Sequence, residues 1–365
     1  MQKKLYDIFI IGGGINGAGI AADAAIRGLK VGICEKNDFA SGTSSASSKL
    51  IHGGLRYLEQ YDFNLVRHAL KEREVLLKVA PHLIHPLKFI MPYIASMRPK
   101  WLIRIGLFLY DHLASHPDLP NAKKLIFDAA SSSPLKDSFK EGFSYFDCKT
   151  DDARLVLANI LQAQKFGGDI FNYTQLVSAK FIDNLWQLEF QNTLNHAKIF
   201  VIAKCLVNAA GANIKEIDAI SDPHNSSLNV ELVKGSHIVV PKLYPEETAY
   251  ILQNEDGRIV FVIPYQQDFS LIGTTDVKTT LTAPLKISEE EMHYLCDTVN
   301  LYFKKNIHAT DVVWDYAGVR TLQTSHTDNP SKVSRDYKFT MDKQRHLATV
   351  VSGKLTTYRL SLIHI

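Results

Sequence analysis

The sequence is poor in cysteine, in net charge and in long apolar runs. Its four cysteines (Cys34, Cys148, Cys205 and Cys296) stand far apart, with no Cys-x-x-Cys pair. This spacing argues against a disulfide framework and a cysteine-based zinc site, and makes a reducing compartment the expected setting. Basic and acidic residues nearly balance, 41 against 38, which argues against a tail-driven binder of nucleic acid. No apolar run reaches the roughly 18 residues that a membrane-crossing helix needs. Lys3 and Lys4 before an apolar stretch resemble a secretion signal, but Asp7, Asp23 and Arg27 interrupt it, so the stretch reads as a first strand. Internal repeats and low-complexity linkers are missing as well. His112 and His116 have helical spacing but no third ligand, so no metal site is expected.

What is present suffices for two domains: 365 residues, 46% of them hydrophobic. Residues 5–11 read as a buried strand, Ala18–Arg27 as a helix ended by Gly28, and Val31–Cys34 as a second strand closing on Glu35. Helical patterns recur at Asn64–Val79, 98–113, Asp151–Phe166 and Ser288–Lys305, the last opened by a capping-box pair, Ser288 and Glu291. Pro81, Pro86 and Pro92 break the pattern after the first of these. Strand-like runs cover Gln175–Phe181, Trp186–Phe190, Lys198–Ile202, Cys205–Ala212, Val230–Val240, Ala249–Leu252, Ile259–Ile263 and Ser270–Gly273.

The first strand runs into Gly12-x-Gly14-x-x-Gly17 and then a helix. Gly12 permits the tight turn, Gly14 lets a pyrophosphate approach the backbone, and Gly17 lets helix and strand pack closely. The helix start offers unpaired N–H groups to the diphosphate, and Glu35 stands where a carboxylate accepts from ribose hydroxyls. This fingerprint does not choose between NAD and FAD. The strand Leu206–Gly211, with Ala210 and Gly211 at its end, favours FAD, as does the Asp23…Arg27-Gly28 extension of the first motif. In flavoproteins of the glutathione-reductase and amino-acid-oxidase type, such a strand re-enters the nucleotide sheet beside the cofactor.

Seven runs then resemble the FAD-dependent glycerol-3-phosphate dehydrogenases: Gly12–Gly28, Ser44–Tyr57, Asp151–Val156, Lys234–Pro241, Ile272–Asp276, Ala317–Arg320 and Gly353–Arg359. They lie in family order and span nearly the whole chain. Two departures stand out. Ser352 takes the place of the first glycine of the closing motif, and the family's C-terminal helical domain is missing after Ile365, which suggests a truncated or impaired enzyme.

The resemblance implies an α/β fold: a Rossmann-like FAD-binding domain of the glutathione-reductase/amino-acid-oxidase type with a sheet-based substrate domain. The expected division assigns 1–85, 150–215 and 335–365 to FAD binding, and 86–149 and 216–334 to substrate binding. It also implies oxidation of sn-glycerol 3-phosphate to dihydroxyacetone phosphate, with hydride passing to FAD and electrons to a membrane quinone. In that setting His52 is the candidate base, since imidazole titrates near working pH. Arg56 and Arg320 are the expected phosphate clamp, with Arg335 a third cation. Tyr57 and Thr274 add hydroxyl contacts. Lys354 would favour negative charge on the reduced flavin, or reach the substrate. Cofactor contacts are expected from Gly12, Gly14, Gly17 and Glu35, from the serine loop (Ser44, Ser45, Ser47), from Ala210 and Gly211, and from Gly353, Lys354 and Leu355.

The segment Arg98–Tyr110 mixes basic residues with Trp101, Ile105 and Phe108. It fits either an interfacial helix or a core helix with a basic end. With the quinone expectation, this places the protein peripherally on the inner, cytoplasmic face of the membrane, in contact with lipid, with a homodimer as an open possibility. Rival readings are a glycerol-phosphate or amino-acid oxidase using oxygen, and a catalytically impaired FAD-binding fragment.

Overall fold

The computed structural model describes residues 4–113, 118–127, 133–222, 228–323 and 338–360. The chain opens with β1 (Lys4–Ile11), α1 (Ile15–Ile26), β2 (Val31–Cys34), β3 (Leu50–Ile51), α2 (Phe63–Val79) and β4 (Ile84–Pro92). It continues with α3 (Lys100–His112), β5 (Lys123–Ile126), β6 (Glu141–Thr150), α4 (Asp152–Lys165), β7 (Asp169–Phe171), β8 (Thr174–Ile182), β9 (Leu185–Asn192) and β10 (Lys198–Asn208). Next come α5 (Ile214–Ser221), β11 (Val230–Pro241), β12 (Thr248–Gln253), β13 (Ile259–Tyr265), β14 (Phe269–Gly273) and β15 (Val277–Thr279). The last elements are α6 (Glu289–Tyr302), β16 (Trp314–Gln323), β17 (Lys338–Asp342) and β18 (Leu347–Val351).

β1 sits at the centre of the first sheet because nearly every side chain from Ile8 onward is buried on one face or the other. It pairs in parallel with both β10 and β2, in the order β17-β18-β10-β1-β2-β7. Ile8 and Ile10 face α1 and α4 with Val156 and Ile160, while Phe9 and Ile11 face Trp186, Phe190 and Ile217. The helix predicted from Ala18 starts earlier, at Ile15, and its alanine-rich face lets it lie close to the sheet. Gly28 closes it at φ +82°, one residue after Arg27 pairs with Asp23 at 2.6 Å.

Two expectations are corrected here. The runs Lys198–Ile202 and Cys205–Ala212 form one strand, β10, which ends at Asn208. It looks like two because its first half pairs with β9 and its last residues pair with β18. The proline-marked break at 81–92 is partly a strand, β4, although β4 is internal to its sheet. Pro86 lies opposite Cys148 of β6, while β12 pairs with β4 only from Lys88 onward, so on the β12 side no ladder partner is present at Pro86.

The second sheet runs β15-β11-β14-β13-β12-β4-β6-β3, with β16 on β11 and β5 on β6; among the described residues only its β12–β4 pairing is parallel. Side chains alternate across it as a strand period of two demands. Val239, Ile263 and Leu271 pack under α2 and α3, whereas Ile238, Val240, Val262 and Ile272 pack under α6. The Ser288–Glu291 capping box opens α6 as expected. Leu50–Ile51 pairs with β6 and so joins the second sheet, although the sequence places it in the nucleotide-binding segment. Among the described residues, no helix is long and apolar enough to cross a membrane.

Candidate active site

The turn between β1 and α1 excludes side chains at two points. Gly12 has φ +110°, and a Cβ there would lie 2.4 Å from the Ala209 carbonyl oxygen. A Cβ on Gly17 would lie 1.9 Å from the Gly12 carbonyl oxygen. Both obstacles are backbone, so neither can move aside. α1 therefore starts against the end of β10, and the small residues Ala209, Ala210 and Gly211 leave its N-terminus facing a cleft. Glu35 closes β2 at the same end. Its carboxylate accepts from the Gly13 N–H at 2.8 Å and the Asn37 N–H at 3.0 Å, and it also lines the cleft.

The serine-rich loop forms the next wall, and its hydroxyls are mostly engaged with protein. Ser44 Oγ accepts from the Ile15 N–H at 2.9 Å, which fastens the loop to the first turn of α1. Ser45 Oγ donates to the Gly42 carbonyl at 3.3 Å. Ser47 Oγ donates to the fully buried Asp152 carboxylate, which Lys49 also reaches; both distances are 2.7 Å. Ser48 Oγ pairs with His237 Nε2 at 2.9 Å, and the His237 ring stacks on Tyr316 with centroids 4.9 Å apart. His237 is fully buried. Burial first, then the positive charges of Arg320 and Lys49, pushes its pKa down to about 3, so it is a neutral partner for Ser48.

At the far end the cleft is lined by His52, Tyr57, Phe261, Thr274, Arg320 and Lys354, which arrive from five separate segments. The His52 ring lies edge-on to Phe261, 6.2 Å between centroids. Lys354 Nζ stands 3.7 Å over the Tyr57 ring, a cation–π contact that fixes the ammonium inside the site. Arg320 is oriented by Asp276, 2.6 Å from Nη1, and by Thr274 Oγ1, 3.2 Å from Nη2. A Cβ on Gly235 would meet both arginine nitrogens within 2.8 Å, so glycine is needed there for the guanidinium to lie across β11. The Thr274–Asp276 turn is braced from behind: Glu291 accepts from Thr275 Oγ1 at 2.6 Å and Ser236 Oγ at 2.9 Å.

A family model described as FAD dependent oxidoreductase matches residues 7–349. The chain is also 50% identical over 365 residues to the aerobic glycerol-3-phosphate dehydrogenase of Escherichia coli, covering 98% of this chain and 72% of that protein. It belongs to the FAD-dependent glycerol-3-phosphate dehydrogenase family. A second relative, the D-erythritol 1-phosphate dehydrogenase of Brucella abortus, is 47% identical over 362 residues, covering 98% of this chain and 72% of its own length. The solved glycerol-3-phosphate dehydrogenase of Bacillus halodurans, complexed with FAD, superposes with a TM-score of 0.76 at 28% identity. It covers all of this chain, which spans 64% of that structure.

FAD is the cofactor of this dehydrogenase family, and the cleft fits it. The glycine turn and the helix start suit a diphosphate, Glu35 suits a ribose, and a continuous channel of about 360 Å³ joins them to His52. Most of the expected site residues line this one channel: Gly12, Gly14, Glu35, Ser44, Ser47, His52, Tyr57, Ala210, Gly211, Thr274, Arg320, Gly353, Lys354 and Leu355. Gly17 lies behind the turn as a packing residue. Ser45 and Arg56 are not among the lining residues, and Arg335 and His116 fall outside the described residues. Ser352, where the family pattern has glycine, adopts φ +66°, a conformation that costs a non-glycine residue on the order of 1 kcal/mol.

Sequence reasoning missed Asp152, His237, Asp276, Tyr316 and Thr356. All but Tyr316 lie inside runs quoted for the resemblance, and their place in those runs was the available signal.

Proposed function

We propose that the protein oxidises sn-glycerol 3-phosphate at C2 to dihydroxyacetone phosphate. The observation that carries this reading is that an Asp276-oriented Arg320, Lys354 and His52 line the same cleft as the dinucleotide-binding glycine turn. FAD, when bound, supplies the hydride acceptor for the C2 carbinol. Arg320 offers guanidinium N–H donors to the phosphate, with Thr274 beside it. Arg335 is the further cation of this reading, whereas Arg56, next to Tyr57 in its turn, does not line the cleft. His52 takes the proton of the C2 hydroxyl, and Lys354 holds positive charge where negative charge accumulates, with Tyr57 beneath it.

Gly12, Gly14, Gly17, Glu35, Ser44, Ser45 and Ser47 hold or shape the cofactor end. Ala210, Gly211, Gly353, Lys354 and Leu355 flank it on the other side. Identity to an erythritol-phosphate dehydrogenase supports a second substrate of the same chemistry, a longer polyol 1-phosphate. Dye-linked turnover separates these: sn-glycerol 3-phosphate should be favoured over glycerol by at least about a hundred-fold in kcat/KM, the scale of lost charged hydrogen bonds. Preference for D-erythritol 1-phosphate would move the reading to that substrate, and equal rates with glycerol would reject a phosphate site.

Electron delivery to a membrane quinone, from the inner face of the membrane, is the other part of the proposal. α3 supports it. Its inner face buries Ile103, Leu107 and Tyr110, while Trp101, Leu102, Ile105 and Phe108 are exposed beside Lys100 and Arg104. A helix with an unburied aromatic and basic face suits a lipid surface.

A further inference from the structure

Behind His52 lies a cluster of charge that the chemistry above does not use. Arg73, Glu74, Tyr110 and Asp147 are all at most 7% exposed, deep between α2, α3 and β6. Arg73 Nη1 donates to Asp147 at 2.8 Å and to the Phe146 carbonyl at 3.0 Å, and Nη2 donates to Glu74 at 2.7 Å. Such a group is no cheap source of stability, because an apolar core of the same volume often serves as well. Its geometry has one outlet toward the site. Tyr110 Oη donates to Asp147 at 2.7 Å and accepts from the backbone N–H of Gly53 at 2.8 Å.

The donor directions are forced. The Gly53 amide can only donate, and it reaches Tyr110 Oη with the Asp147 carboxylate also within its reach, so the single phenol proton goes to Asp147. Asp147 must then accept, and Arg73 is the cation that keeps a buried acceptor there. A Cβ on Gly53 would lie 2.7 Å from Tyr110 Oη and 2.6 Å from Leu70, so any larger residue there would push against the phenol. On the other side of the same residue, the His52 N–H donates to Thr356 Oγ1 at 3.0 Å, and that hydroxyl lies 3.3 Å from the His52 carbonyl. Thr356 is itself 1% exposed. The two peptide units flanking the His52 Cα are thus each held by a buried hydroxyl, one from α3 and one from the closing motif.

We infer that Tyr110 and Thr356 are positioning residues that clamp the His52 backbone, with Asp147 and Arg73 orienting the Tyr110 hydroxyl. The inference rests on the reading of His52 as the base. A clamp of this kind acts on the placement of the imidazole and leaves the phosphate contacts alone. A displacement near 1 Å costs about a hundred-fold in rate.

The test uses the FAD-loaded protein and four variants: Tyr110→Phe, Thr356→Ala, Thr356→Ser and His52→Gln. Rapid-reaction flavin reduction by sn-glycerol 3-phosphate should slow by about ten- to a hundred-fold in Tyr110→Phe and Thr356→Ala, with the half-saturating substrate concentration within about two-fold of the parent. Thr356→Ser should restore the rate. In protein labelled with 13C-histidine, the His52 ring signal, assigned by its loss in His52→Gln, should broaden or split in the two slow variants and stay single in Thr356→Ser. A parental rate and a single parental His52 signal in Tyr110→Phe would overturn the clamp, as would identical behaviour of Thr356→Ala and Thr356→Ser should Tyr110→Phe fail to fold. The nuclear magnetic resonance arm needs no substrate. Failure of the parent to be reduced by glycerol 3-phosphate therefore counts against the substrate reading, while the clamp is still decided by the His52 signal.

Discussion

Arg320 shows how much a single side chain depends on its holders. Asp276 takes one arm at 2.6 Å and Thr274 approaches the other, which fixes the plane of the guanidinium beside the cleft. Lysine carries the same charge but cannot fork, so Arg320→Lys should raise KM for glycerol 3-phosphate by about ten- to a hundred-fold with bound FAD unchanged. Initial rates across substrate concentration check this, and an unaltered KM would remove Arg320 from the phosphate site. Arginine and glycine together in Ala317–Arg320 made this residue legible in the sequence. Arg56 looked equivalent there, after Gly53 and Gly54, yet it sits in a 3-10 turn and does not line the cleft. The direction of a side chain from such a turn is set by tertiary packing, which no local pattern encodes. Tyr110 was invisible for the same reason, since its partner Gly53 lies on another element.

Element by element, the chain announced its helices better than its strand partnerships. Asp62, Asp151 and Ser288 each cap a helix start through their side chains, so α2, α4 and α6 begin within a residue or so of expectation. Pairing of β1 with β10 was implied only by analogy, and the split partnership of β10 was not readable at all. α3 was ambiguous because its apolar residues encircle it. The structure places Trp101 and Phe108 outside, at 63% and 60% exposure. Trp101→Glu combined with Phe108→Glu should therefore leave stability within about 0.5 kcal/mol, as exposed positions do, while abolishing co-sedimentation with anionic liposomes. Binding equal to the parent would exclude this face.

The strand β11 carries a different expectation through His237. Its folded pKa, pushed down to about 3, lies below the ordinary value of 6.5. Unfolded chains take up that proton first as pH falls, so its contribution is complete above 6.5 and declines from there toward 3. Between pH 7 and 5 the parent should lose up to about 2 kcal/mol more than a non-titrating His237→Gln variant in urea denaturation. Parallel losses would contradict a buried neutral histidine.

At the scale of the molecule, two sheets share one channel, and neither could build it alone. The first sheet supplies the glycine turn, Glu35 and the end of β10; the second supplies Gly235, Phe261, Thr274 and Arg320. The closing motif from Ser352 to Thr356 bridges them, with Lys354 over Tyr57 and Thr356 on His52. Motifs from Gly12 to Thr356 therefore meet in space, and the family-wide order of short runs made the site legible even where pairing was not. The most direct test of the central claim is the anaerobic visible spectrum of the purified protein before and after adding sn-glycerol 3-phosphate. The account predicts an oxidised flavin band that bleaches with this substrate and persists with glycerol. A flavin band unchanged by glycerol 3-phosphate would contradict it.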